Sequence, residues 1–150
     1  MGKNNNETID TAVILRAYEE AEGCPHCHYE EGADAYEIDR LLDGGMMVWD
    51  IRQETDKRGF CFDHYQKLLL GRNRFSVAVM IESHLREIQN VYLKKPVYKS
   101  GMLDKTGAGG IINQLGEDCY LCHRMDKVMN NFEEGVVHLW KKREDFRELM

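Results

Sequence analysis

The sequence predicts an all-α protein. Apolar residues recur at three- and four-residue spacing along most of the chain, and no stretch shows convincing strand alternation. In addition, Cys24-x-x-Cys27, Cys61-x-x-His64 and Cys119-x-x-Cys122 share a two-residue gap that suits metal knuckles. A chain of 150 residues is long enough for one domain with a real core. Residues 1–150 are therefore expected to form a single helical zinc-binding domain, with a first repeat unit at about 24–71 and a partial second at about 119–150.

Thr8 or Asp10 is placed to cap a first helix running to about Glu22, with Ile14, Ala17, Tyr18 and Ala21 on one face. After Cys-Pro-His-Cys-His, residues 29–43 set Ala35, Ile38, Leu41 and Leu42 along a stripe. Gly44-Gly45 interrupts, and a helix-compatible pattern resumes from Met46 to about Lys57, ending at Gly59. The segment CFDHYQKLLLG reads as a short helix with Cys61 near its first turn. The clearest helix covers 74–93, where Ala78, Ile81, Leu85, Ile88 and Tyr92 form a stripe that reads as a core face rather than a dimer seam. Glycines and a proline make 94–110 a linker, and KTGAGG within it lacks the order of a phosphate loop. Helical patterns return at 111–116 and from His123 to near the end.

The cysteines carry the chemistry. In Cys24-Pro25-His26-Cys27 the proline fixes the turn, and both sulfurs can reach one tetrahedral ion. Cys61 and His64, at i and i+3 of a helix start, share one face. Together the four make a closed Cys3His zinc set, which is structural rather than catalytic because no position stays open. Such a site supplies roughly 10–16 kcal/mol of apparent binding energy to folding. Cys119, Cys122 and His123 form the start of a second site.

Two other chemistries use these motifs. Cys-x-x-Cys-His occurs twice, as in c-type haem attachment, but that reading leaves Cys61 and His64 unexplained. Cys-Pro-His-Cys also serves as a redox dithiol, which makes a dithiol–disulfide oxidoreductase the rival enzyme reading. That dithiol is at home in a βαβ setting, and the helical periodicity argues against one. No Ser/His/Asp set or paired carboxylate stands out, so no catalytic residue is assigned and the reading leans away from an enzyme.

The second half echoes the first. Beside the two Cys-x-x-Cys-His motifs, GGMMVW at 44–49 matches GVVHLW at 135–140. In the first unit Cys61 follows Trp49 by twelve residues; counting likewise from Trp140 passes Met150. The second unit thus lacks its Cys-x-x-His, which suggests either a shortened form of a longer protein or a second site completed by His123, His138 or another chain. Trp49 and Trp140 are expected as core anchors beneath the metal turns, and His28 and His84 as non-ligands.

On Cys24-Pro25-His26-Cys27, Gly59-Phe60-Cys61-Phe62-Asp63-His64 and Cys119-Tyr120-Leu121-Cys122, the chain resembles a bacterial family of unknown function whose members carry CPxC, GFCxxH and a later CxxC. The resemblance covers roughly residues 20–125 and departs from the pattern where a second Cys-x-x-His is due. It implies zinc and helices, and no reaction.

A net charge of −6 argues against nucleic acid or an anionic membrane as partner. Ala12–Leu15 is far shorter than the roughly 7–15 apolar residues of a signal peptide, so a cytoplasmic location is expected. The expected partner is an unknown protein or a second copy of the chain.

Overall fold

A computed structural model describes residues 9–90 and 118–149. Among these residues there is no strand, and seven α-helices follow one another: α1 (Ile9–Glu20), α2 (Pro25–Leu42), α3 (Trp49–Arg58), α4 (Phe62–Leu70), α5 (Arg74–Ile88), α6 (Tyr120–Lys142) and α7 (Glu144–Leu149). A single 3₁₀ turn, Gly45–Met47, fills the break before α3. The all-α expectation therefore holds, with helix starts shifted by a few residues. The linker at 94–110 and the short pattern at 111–116 lie outside the described residues, as does Thr8.

The chain divides into two compact units, one of residues 1–35 with 125–150 and one of 36–124. In the first, Ile14 and Ala17 of α1 pack with Phe132, Val136 and Leu139 of α6 and Phe146 of α7. This is the face that the periodicity of the first helix marks. Tyr29 stacks on Phe132 with centroids 4.1 Å apart, and Tyr18 meets Phe146 edge-on at 5.0 Å.

In the second unit Ile38, Leu41 and Leu42 of α2 bury against Met46, Phe60, Leu68, Val77, Met80 and the Cys119–Leu121 segment. The buried carboxylate of Glu37 accepts from Arg40 at 2.6 Å and from Arg124 at 3.2 Å, joining the end of α2 to the start of α6. Two guanidiniums make this burial tolerable, since a lone buried carboxylate is costly.

α5 turns to the core a face rotated from its hydrophobic stripe: of that stripe Ile81 packs against the core, whereas Ala78 is exposed. The buried positions are Ser76, Val77, Met80 and His84, while Leu85 is exposed. The two polar side chains on this face find partners there. Ser76 Oγ donates to the Leu42 carbonyl at 3.3 Å, and His84 Nδ1 lies 2.7 Å from the Asp56 carbonyl oxygen. Both polar side chains are thereby carried into the interior without an unmet hydrogen bond. The tryptophans also depart from expectation: Trp49 is 71% exposed and Trp140 45%, so neither is a core anchor.

Candidate metal centre

Each of the three Cys/His pairs sits at a helix start. Cys61 is the N-cap of α4 in extended backbone, and the Tyr65 N–H donates to its carbonyl at 2.9 Å. His64 is then the third residue of the helix, on the side of the cap. Cys119 immediately precedes α6, and the His123 N–H donates to its carbonyl at 3.0 Å. The Cys122 N–H points at Cys119 Sγ, 3.5 Å away. A cap side chain facing the third amide of a helix is the ordinary N-cap arrangement, with sulfur here in place of oxygen.

The two starts are fixed to each other by backbone. α3 ends at Gly59, whose φ of 66° and ψ of −150° lie in a region essentially confined to glycine. The turn there brings Phe60 into the core and Cys61 to the head of α4. The Gly59 carbonyl accepts from the Tyr120 N–H at 3.0 Å, and Arg58 pairs with Asp118 at 2.5 Å.

The result is a cluster of four. The ligand atoms of Cys61, His64, Cys119 and Cys122 all lie within 4.8 Å of one another. His64 Nδ1 stands 3.1 Å from the Cys61 sulfur, 3.3 Å from that of Cys119 and 3.4 Å from that of Cys122. The sulfurs of Cys61 and Cys122 are 3.8 Å apart. Among the described residues this is the one group of three or more such side chains placed to hold a metal ion.

The electrostatics suit a cation. Two helix N-termini, of α4 and α6, meet at the cluster and favour thiolate. At Cys119 burial opposes ionisation, yet the hydrogen bond from His64 and the nearby Cys122 and Cys61 amides outweigh it and bring the thiol down to about 6. Cys122 is pushed up to about 12, by burial first and then by sharing hydrogen bonds and charge with Cys119 and Cys61. Three thiols this close cannot all ionise without a compensating positive charge, which a bound metal supplies.

The grouping differs from the one the sequence suggests. Cys61 and His64 are joined by Cys119 and Cys122, not by Cys24 and Cys27. Cys24 and Cys27 are both exposed, at the start of α2 in the other compact unit. His123 is half-buried on α6 and is not among the four. His138 is exposed, and His84 is taken up by its bond to Asp56. Spacing alone identifies each pair, and a knuckle carries no mark of which other knuckle it meets.

The fold and cluster define an all-helical protein with a candidate Cys3His metal centre. The chain belongs to a family of unknown function, DUF6062, whose model matches residues 5–150. No curated protein and no solved structure matches it. Among the described residues no helix is long and apolar enough to cross a membrane.

Proposed function

We propose that Cys61, His64, Cys119 and Cys122 bind one zinc ion in a closed structural site, and that the protein is a cytoplasmic binding or scaffolding module. The observation that carries this is the spacing of the ligand atoms. Zinc bonds of about 2.3 Å to sulfur and 2.0–2.1 Å to nitrogen imply tetrahedron edges of about 3.8 Å between sulfurs and about 3.5 Å between sulfur and nitrogen. The separations of 3.8 Å for one sulfur pair and 3.1–3.4 Å for the three sulfur–nitrogen pairs fall close to those edges. Three thiolates and one imidazole are ligands that zinc favours over magnesium or calcium, and four of them leave no position for substrate or water.

The proposed role follows from the closed site. Zinc fastens the start of α4 to the start of α6, holding a helical surface in shape for a protein partner or a second copy of the chain. An acidic chain of net charge −6 favours neither nucleic acid nor an anionic membrane. Haem attachment fits less well, because Cys119 and Cys122 face Cys61 and His64. Dithiol exchange at Cys24 and Cys27 lacks a βαβ setting among the described residues.

Elemental analysis of the purified protein, with cobalt substituted for zinc, tests the site. A tetrahedral cobalt spectrum of three-sulfur, one-nitrogen character, lost in Cys119→Ser, is expected. Full metal content in Cys119→Ser would exclude the assignment.

A further inference from the structure

Cys24 and Cys27 are left outside the Cys3His cluster, yet they are built like a part of it. The His28 N–H donates to the Cys24 carbonyl at 3.0 Å, as His123 does to Cys119 at 3.0 Å. The Cys27 N–H points at Cys24 Sγ at 3.3 Å, as Cys122 does at Cys119 at 3.5 Å. Both pairs thus hold the same conformation: the first cysteine immediately before a helix, the second three residues on. One of these pairs already sits within a four-ligand cluster.

The turn between Cys24 and Cys27 is braced from behind. Pro25 opens α2, where its fixed φ suits the first helical position. His26 is engaged on the inner side: its Nε2 lies 3.3 Å from the Tyr18 hydroxyl, and its ring meets Phe132 edge-on at 5.1 Å. Both cysteines are exposed. Among the described residues no third cysteine, histidine or carboxylate joins them in a ligand group. Two thiols preset at knuckle spacing offer two of the four ligands that a tetrahedral site takes.

We infer that Cys24 and Cys27 form one half of a second metal centre, completed by a paired soft donor from another chain. The donor pair is either the same Cys24 and Cys27 of a second copy or a Cys-x-x-His of the kind that Cys61 and His64 present to Cys119 and Cys122. The inference goes beyond the zinc site proposed above, and its signal is separable from that site's.

Cobalt titration of the reduced full chain is the test, in two arms. With metal alone, a first equivalent fills the Cys119 site; a further half equivalent with four-sulfur character, accompanied by dimerisation in light scattering, assigns the donor to a second copy. With a synthetic peptide of residues 58–71 added, a second full equivalent of three-sulfur, one-nitrogen character in a one-to-one complex assigns it to a Cys-x-x-His pair. In either case the double variant Cys24→Ser, Cys27→Ser is expected to lose the second signal and keep the first along with its helicity. Since both side chains are exposed, that variant is expected to fold. No second tetrahedral cobalt in either arm, or a second signal that survives the double variant, overturns the inference. Loss of the first signal alone would instead count against the Cys3His site.

Discussion

The carbonyl of Gly59 and the N–H of Tyr120 are hydrogen-bonded at 3.0 Å, two residues before Cys61 and one after Cys119. This bond sets the register between the two halves of the cluster. Gly59 also stands where any side chain collides: an added Cβ would lie 2.3 Å from His84 Nε2, at a φ of 66°. Gly59→Ala is therefore expected to cost about 1–3 kcal/mol in backbone strain, before any cost of moving His84. Its metal affinity is expected to fall as well, because the turn positions both halves of the cluster. Urea unfolding and competition with a chelator measure the two effects; a variant with wild-type values for both would refute the role of this turn.

Replacing Cys61 by Ser is expected to remove most of the metal and part of the helicity together. The same loss is expected from His64→Ala. A structural zinc contributes its binding energy to folding, so chelation of the wild type is expected to mimic these variants. Metal content and far-ultraviolet circular dichroism report both quantities, and an unchanged melting curve in Cys61→Ser would remove it as a ligand.

Acid is expected to release the metal, since the thiolates must be protonated for it to leave. In metal-free protein the thiols separate. Cys119, brought down to about 6 despite its burial, ionises well before Cys122, which is pushed up to about 12. Thiolate absorbance of chelated protein is thus expected to show a first step near pH 6. That step should vanish in Cys119→Ser. Its persistence there would assign it to another thiol.

Two leucines two residues apart in α4 are expected to behave oppositely. Leu68 is 0% exposed within the core of the second unit, and Leu70 is 85% exposed. Leu68→Ala is expected to cost about 2–5 kcal/mol, as removal of a fully buried leucine does. Leu70→Ala is expected to stay within about 0.5 kcal/mol of wild type. Denaturant melts of the two variants decide this; equal midpoints would contradict the packing of α4.

Helices were legible because periodicity is a local property, and so were the pairs themselves. Cys61 and His64 declare a shared face through their spacing, whatever lies elsewhere. Their partner pair was not legible, because Cys24/Cys27 and Cys119/Cys122 offer the same ligands at the same gap. Only tertiary packing, here Gly59 against Tyr120, distinguishes them. The core face of α5 escapes hydrophobic periodicity for a related reason. Hydrophobic periodicity counts Ser76 and His84 as polar, and it has no way to register that Leu42 and Asp56 supply carbonyls to receive them. Trp49 and Trp140 show the reverse: large apolar side chains that the fold leaves largely at the surface.

The meeting of His64 with Cys119 joins residues 55 apart in sequence. In polymer terms a metal held there is a crosslink that closes a long loop, and the entropy of closing a loop grows only with the logarithm of its length. Doubling the stretch between the two pairs would weaken the closure by only about 0.6 kcal/mol. A metal held there would therefore leave the closure nearly indifferent to the length of chain between His64 and Cys119.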